Sequence, residues 1–237
     1  MKPGKADGVR ASLCLLFLLA TVPAYCQRGT LDVNVGQISD QFGALSPVTG
    51  TAVDVNGEVT VIKASEKNGG PSIVGGGEMR LPTDAVHAKE FAVYGGIVFG
   101  AHNFSIGVNA EVRKIYMPTA TLDNQVLNRD NMELFELPLV LKYKFGPDRR
   151  AFIEVQGQPE FTPRFKRSPL AKVILPNPVL DHGYDLRGSV GYNFGQHWYV
   201  KGTYDTRYFK FNKTAGNPSS LYNWKSNLII GGVGVRF

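Results

Sequence analysis

The residues best suited to chemistry in this chain of 237 residues are its histidines, because an imidazole acts as an acid or a base near neutral pH. Asp181 and His182 are adjacent where the long connection 163–182 meets a strand, a position from which a rim-site hydrolase could act. Adjacent side chains of a strand point to opposite faces, so we expect no orienting bond between these two. No serine lies at a diagnostic spacing, and no metal ligands cluster in the sequence. The chain is therefore predicted not to be an enzyme and to have no cofactor or metal. The histidines are His87, His102, His182 and His197.

A second group consists of charged residues that recur at alternate positions and would share one face of each strand. Facing the lumen of a barrel, they could form an ion path or a ligand pocket, or pair with one another and fill a narrow interior. A selective pore has a ring of one sign, whereas these residues carry both signs, so we expect a salt-bridged filling. The predicted lumen network consists of Glu58, Glu111, Arg113, Glu136, Lys142, Lys144, Glu154, Asp185, Arg187, Lys201, Asp205 and Arg207.

Apolar residues occupy the positions between these charges. In segment 132–145, for example, Phe135 and Leu137 share one face, whereas Glu136 lies on the other. A period of two predicts strands with one apolar and one polar face. The same period is present in segments 53–61, 103–113, 184–194 and 198–208.

The connections between the strands alternate in length, and aromatic residues collect at the strand ends. Connections 100–103, 146–149 and 195–197 are short, whereas 118–131 and 212–222 are long. Short periplasmic turns, long extracellular loops and two aromatic girdles are typical of outer-membrane barrels. The pattern predicts an all-β fold, a closed antiparallel transmembrane up-and-down β-barrel. The expected girdles are Phe99, Phe104, Phe145, Phe194, Trp198 and Phe237 on the turn side, and Tyr116, Phe135, Tyr184, Tyr208 and Tyr222 on the loop side.

The number of strands follows from their direction. Seven strands are clear between residues 90 and 237, and segments 30–39 and 51–62 add two more. Both ends of such a barrel lie in the periplasm, so the number should be even. Segment 72–80 would make ten, although its glycines at 75–77 weaken it as a strand, and omitting one early segment would leave eight. Ten strands are weakly favoured over eight.

The front of the chain predicts export. Residues 1–26 combine basic residues, the apolar stretch 13–20 and small residues before residue 27, which is the pattern of a cleaved signal peptide. The barrel domain would then span 27–237. Cys14 and Cys26 both lie in the predicted signal, so no disulfide is expected in the barrel.

The last strand predicts a membrane location. Val233, Val235 and Phe237 lie two residues apart and share one face. An apolar outer face that ends on an aromatic ring suits a strand that closes a barrel within a membrane.

Three segments resemble the bacterial outer-membrane β-barrel superfamily, which includes small porin-like and OmpA/OmpX-type barrels: 136–145, 150–154 and 232–237. The resemblance covers residues 90–237. It implies that the C-terminal strand with Phe237 is the signal read by the outer-membrane assembly machinery, and it carries no catalytic residues. Most small barrels of this family have eight strands.

These features predict an integral outer-membrane protein with a structural or surface-interaction role and a lumen plugged by charged side chains. The alternatives are a narrow porin for small solutes, a rim-site hydrolase acting on lipid or peptide, and a soluble calycin-like barrel with an apolar ligand inside. Expected partners are outer-membrane lipid and the assembly machinery. The formal net charge of +6 without a dense basic cluster predicts no nucleic-acid partner, and the oligomeric state stays open.

Overall fold

The computed structural model describes residues 28–43, 45–62, 70–122, 125–128, 131–161, 163–166, 179–212 and 223–237. The predicted signal peptide, residues 1–26, and the girdle residue Tyr222 lie outside the described residues. In the described part of the chain, no helix is long and apolar enough to cross a membrane.

Almost all of the described chain is β-strand, with one short 3-10 turn at Pro147–Arg149. Strands β1 to β7 are Arg28–Phe42, Val48–Ile62, Pro71–Pro82, Lys89–Ala101, Phe104–Tyr116, Thr119–Leu122 and Gln125–Asn128. Strands β8 to β14 are Asn131–Glu136, Leu139–Phe145, Ala151–Pro159, Arg164–Lys166, Leu180–Phe194, Trp198–Phe211 and Trp224–Arg236.

The strands close into a barrel in which every pairing is antiparallel. The first strand pairs with the last, from Thr30 opposite Arg236 to Phe42 opposite Trp224, so the main sheet has no long free edge. Strands β8 and β9 both pair with β5 and form one wall strand that is interrupted at residues 137–138. Proline lacks the N–H that a ladder needs, which explains the break at Pro138. Strands β10 and β11 likewise form one wall strand in two parts, in which β10 pairs with β9 and β11 pairs with β8.

The barrel therefore has ten wall strands, which confirms the larger of the two predicted numbers. Segment 72–80, the doubtful one, is part of β3 and pairs on both sides through Gly75, Gly76 and Gly77. A closed ladder supplies the backbone hydrogen bonds there, so the missing side chains do not prevent strand formation. The connection predicted over 118–131 instead contains a hairpin of β6 and β7, which lies outside the main sheet.

The outer face of the wall is apolar, as the alternation predicts. Val93, Val190 and Ile229 are 65%, 58% and 60% exposed, whereas the residues between such positions point inward and are largely polar and buried. A soluble calycin-like barrel has the opposite arrangement. An exposed apolar belt of this extent marks a surface that contacts lipid or another apolar partner.

The two ends of the barrel differ in their connections and in their contents. We call the end with connections 43–47, 83–88, 117–130, 160–179 and 212–223 the loop end, and the opposite end the turn end. At the loop end, inward-facing apolar side chains form a small core inside the barrel. The rings of Phe42, Trp224 and Phe209 stack in sequence, with centroids 6.2 and 5.8 Å apart. The other buried members of this loop-end core are Ala88, Ile115, Met132, Leu134 and Phe211.

At the turn end, aromatic rings point into the lumen and lie against glycines of the neighbouring strand. The hydroxyl of Tyr199 donates a hydrogen bond to Asp32 (2.9 Å), and its ring covers Gly234 so closely that no side chain fits there. Phe152 covers Gly191 in the same way, and the two rings meet edge to face at 6.2 Å. Glycine is required at these positions by the close approach of a ring.

Gly234→Ala should lower the stability of the folded barrel by about 1–3 kcal/mol, because the added methyl group overlaps the Tyr199 ring. Gly231→Ala on the same strand is the matched control, since its methyl group would have no heavy atom closer than 3.9 Å. The midpoint of urea unfolding in lipid vesicles measures both. Equal midpoints for the two variants would contradict the proposed packing.

Candidate functional site

Four arginines from four strands converge in the middle of the lumen. They are Arg80 on β3, Arg113 on β5, Arg187 on β12 and Arg207 on β13. Each occupies an inward position of its strand, and all but Arg187 have side chains at most 1% exposed. A guanidinium group cannot lose its charge inside a protein, so each of these must be matched by carboxylates.

One half of the network centres on Asp205 and Glu78. Arg80 donates to Asp205 at 2.6 Å, and Arg187 donates to Asp205 at 2.8 Å and to Glu78 at 2.6 and 2.9 Å. Arg80 also donates to Glu90 at 3.0 Å. These bonds join β3, β4, β12 and β13 across the lumen, although their residues are up to 125 positions apart in the sequence.

The other half centres on Glu90 and Glu136. Arg113 donates to Glu90 at 2.9 Å, to Glu136 at 3.0 Å and to Glu111 at 2.5 Å. Arg207 donates to Glu90 at 2.6 Å and also pairs with Asp185. Glu90 therefore receives bonds from three arginines and connects the two halves.

The network is not charge-balanced. Among the described residues its four guanidinium groups lie within 4 Å of eight carboxyl groups. Several oxygens of the carboxyl groups make no hydrogen bond in the structure. The eight are Asp54, Glu78, Glu90, Glu111, Glu136, Glu160, Asp185 and Asp205.

The predicted lumen residues separate into two groups. Seven of them lie in the central network: Glu111, Arg113, Glu136, Asp185, Arg187, Asp205 and Arg207.

The remaining predicted residues lie nearer the turn end. Lys142 donates to Glu154 at 2.6 Å, Lys201 to Asp32 at 2.9 Å, and the hydroxyl of Tyr94 to Glu58 at 3.3 Å. These groups line a polar cavity of about 160 Å³ beneath the arginines. Lys144 is two residues from Lys142 and shares its face of β9, but it lies near the end of the strand, where it is exposed to solvent.

Sequence reasoning missed five acidic or basic members of the central network. Glu78 and Arg80 lie in β3, whose strand character was doubtful, and Glu90 is the second residue of β4. The alternation of Glu78 and Arg80 with Met79 and Leu81 was a usable signal, because a period of two places the two charged residues on the same face of the strand. The missed residues are Asp54, Glu78, Arg80, Glu90 and Glu160.

Asp181 and His182 are in contact, which corrects the expectation that their side chains diverge. His182 Nδ1 lies 3.1 Å from Asp181 Oδ2, at the loop end of β12. The pairing of β12 with β13 shifts register between Leu180 and His182, and such a bulge changes the direction in which the side chains point. Both residues are exposed, and Lys210 Nζ is 3.5 Å from the same carboxylate.

The other histidines have different surroundings. His87 is buried, with Nδ1 2.6 Å from Asp84 Oδ1 and Nε2 3.1 Å from the carbonyl oxygen of Val48. Slight burial favours the neutral acid, but hydrogen bonds from His87 and from the backbone N–H of Val86 outweigh it and lower the pKa of the Asp84 carboxyl below its ordinary value. His102 and His197 lie in turns at the turn end.

Comparison with known proteins finds similarity only at the level of architecture. No protein-family model matches the chain, and no curated protein matches it in sequence. The outer-membrane protease OmpT from Escherichia coli aligns over 89% of this chain and 96% of its own, with a TM-score of 0.42 and 9% identity. Ail, the attachment invasion locus protein of Yersinia pestis, aligns in its complex with sucrose octasulfate over 88% of this chain and 99% of its own, with a TM-score of 0.29 and 9% identity.

The prediction that the chain is not an enzyme is wrong as an exclusion. One of the structures similar to this barrel, at 9% identity, is an outer-membrane protease. At this identity the similarity concerns the fold alone and assigns no activity. What the chain shares with these proteins is the closed antiparallel β-barrel.

Arg113→Met should destabilise the barrel by about 3–5 kcal/mol, because it leaves Glu90, Glu111 and Glu136 without their shared guanidinium group. Arg150→Met is the control, since Arg150 pairs with Asp148 at an exposed turn and such a pair contributes about 0–1 kcal/mol. Urea titration in lipid vesicles compares the two. If Arg113→Met lowers the free energy of unfolding no more than Arg150→Met does, the network adds little to stability.

Proposed function

We propose that the protein is an integral outer-membrane barrel with a closed lumen, which acts through its loop-end surface instead of conducting solutes. The observation that carries this proposal is the filling of the lumen. Buried arginine–carboxylate pairs cross its middle, and the stacked rings of Phe42, Trp224 and Phe209 lie between that layer and the loop end.

Several features support a membrane location. The wall is apolar outside, and Trp198, Phe194 and Phe99 are exposed near the turn end, while Tyr116 and Phe135 are exposed toward the loop end. Rings in two bands match the two interfaces of a bilayer. Lipid is the partner that we propose for the belt, and the short turns support a periplasmic position for the turn end.

The same proposal includes the route of assembly. Residues 1–26 would direct export and be removed, and the strand carrying Val233, Val235 and Phe237 would be recognised by the assembly machinery. In the folded barrel, the backbone N–H of Phe237 bonds the carbonyl oxygen of Gly29 at 3.1 Å, which places this segment at the seam where the barrel closes.

A narrow porin is the function that this arrangement disfavours. A conducting path needs a continuous column of water, and ions must enter and leave it easily. The central arginines are buried and bonded to carboxylates from opposite walls, so a path would require several of these bonds to break together. Their desolvated charges would bind a passing ion too firmly for rapid exchange.

In planar lipid bilayers the purified protein should produce no conductance steps, because the arginine layer and the loop-end core close the lumen. A general porin prepared in the same detergent is the positive control for insertion. Reproducible steps of uniform size would contradict the closed lumen and would restore the porin interpretation.

A second candidate function is a hydrolase at the outer rim, acting on lipid or peptide. It is favoured by the contact between His182 and Asp181, since a carboxylate that orients an imidazole prepares it to take a proton from water. The ring of His182 also lies 5.7 Å from that of Tyr208, which further limits its orientation.

If this candidate is correct, the protein should cleave phospholipid or peptide substrates, and His182→Ala should remove at least about 99% of the rate, since general acid–base groups contribute about 100-fold or more. His197→Ala is the control, because His197 lies in an exposed turn at the opposite end. Equal rates for the two variants, or no cleavage by the wild-type protein, would eliminate His182 as a catalytic base.

A further inference from the structure

A patch of the lumen wall holds three carboxyl groups with the spacing of cation ligands. One oxygen from each of Glu136, Glu160 and Asp185 lies within 4.8 Å of the other two, and all three residues are buried. The arginines of the central network bring too little positive charge to balance the three carboxyl groups of this patch. We propose that the patch binds one Ca²⁺ ion, with Gln158 as a fourth oxygen donor.

The backbone brings these residues together at the interruption of the wall. Glu136 is the last residue of β8, immediately before the break at residues 137–138. Glu160 follows β10, and its N–H donates to the carbonyl oxygen of Gly183 at 3.0 Å, so the ladder continues to this point. A side chain at position 183 would lie 2.9 Å from Glu160 Cβ, so the absence of one gives the glutamate its space.

Gln158 provides an observation independent of the acidic cluster. It is 6% exposed, and neither its amide oxygen nor its amide nitrogen has a hydrogen-bond partner in the structure. It pairs directly with Asp185 in the ladder and precedes Glu160 by two residues on the same inward face, so its side chain points toward the patch. A buried amide without partners is costly unless another group binds it.

Carboxyl oxygens of the patch also lack hydrogen-bond partners. Glu136 Oε1, Asp185 Oδ1 and both carboxyl oxygens of Glu160 accept no hydrogen bond. Each of these atoms can donate a lone pair, and a cation at their centre would satisfy all of them at once. Several free oxygens that converge at one buried point are the chemistry of a hard metal ion.

The charge of the patch corresponds to a divalent ion. Arg207 is the guanidinium at its edge, pairing with Asp185 and placing Nε 3.4 Å from Glu160 Oε1. Arg207 also bonds Glu90 at 2.6 Å, so it brings at most one positive charge to the three carboxylates and leaves at least two negative charges. Arg113 does not remove this excess, because it bonds the other oxygen of Glu136 and is shared with Glu90 and Glu111.

The rigid position of the ligands on the barrel wall favours Ca²⁺, whose coordination is flexible, over Mg²⁺. Oxygens on opposite sides of Ca²⁺ lie about 4.6–5.2 Å apart, since each is about 2.3–2.6 Å from the ion. Mg²⁺ requires oxygens at about 2.0–2.1 Å in a near-ideal octahedron, to which ligands on a rigid barrel wall cannot easily contract. Oxygens that lie within 4.8 Å of one another fit inside the coordination shell of Ca²⁺.

The test is to refold the full chain in lipid-free detergent, with CaCl₂ or with a chelator, and to measure bound metal after gel filtration in metal-free buffer. The wild-type protein should retain one Ca²⁺ per chain. The temperature at which the folded gel band converts to the unfolded band should be higher with Ca²⁺. At a hundredfold excess over Kd, the ion should favour the folded state about 100-fold.

Glu160→Gln should abolish both the bound Ca²⁺ and the Ca²⁺-dependent shift. Glu133→Gln is the matched control, because Glu133 lies on β8 three residues from Glu136, pairs with Lys166, and does not belong to the patch. Gln158→Leu removes the amide without changing the charge and should weaken Ca²⁺ retention, which keeps the test decisive if Glu160→Gln does not fold.

Two results would overturn the proposal. In the first, the wild-type protein retains no Ca²⁺, and its folded gel band converts to the unfolded band at the same temperature in chelator and in Ca²⁺. The negative charge of the patch is then neutralised by protons on the carboxyl groups instead of by a metal ion. If Glu133→Gln loses Ca²⁺ as completely as Glu160→Gln, the ion binds at the surface and not at the patch.

Discussion

The structure depends on keeping four guanidinium groups charged inside a narrow barrel. Each group must meet carboxylates from other strands, because removing an unpaired charge from water costs several kcal/mol. The bonds from Arg80 to Asp205 and from Arg187 to Glu78 therefore hold together walls that are distant in the sequence. The planar guanidinium fork permits only a few relative positions of these strands, and the network thus helps to define the register and the roundness of the barrel.

The lumen has three layers with different physical roles. The apolar core at the loop end excludes water from above, and this raises the strength of the charged pairs beneath it. The charged layer connects opposite walls, and the polar cavity at the turn end retains room for water beside Lys142 and Lys201. On our proposal that the complete stack closes the interior, the places to test for function are the outer surface, the rim and the buried carboxyl patch.

Interruptions of the ladder coincide with the places of greatest chemical interest. The break at Pro138 separates β8 from β9 and positions Glu136 beside the end of β10. The register shift near His182 turns that imidazole toward the carboxylate of Asp181. A regular ladder would have separated Asp181 from His182, since strict alternation sends neighbours to opposite faces.

The sequence by itself determined the strands, their two faces and the mixed charge of the lumen, because an alternation of polarity with a period of two is a local property. The requirement for an even number left ten or eight strands, of which the sequence weakly favoured ten. Only the tertiary structure decided that Glu78 meets Arg187, that Phe209 stacks on Trp224, and that Asp181 contacts His182. Those contacts depend on closure, register and a bulge, which join residues far apart in the chain and leave no periodic trace in the sequence.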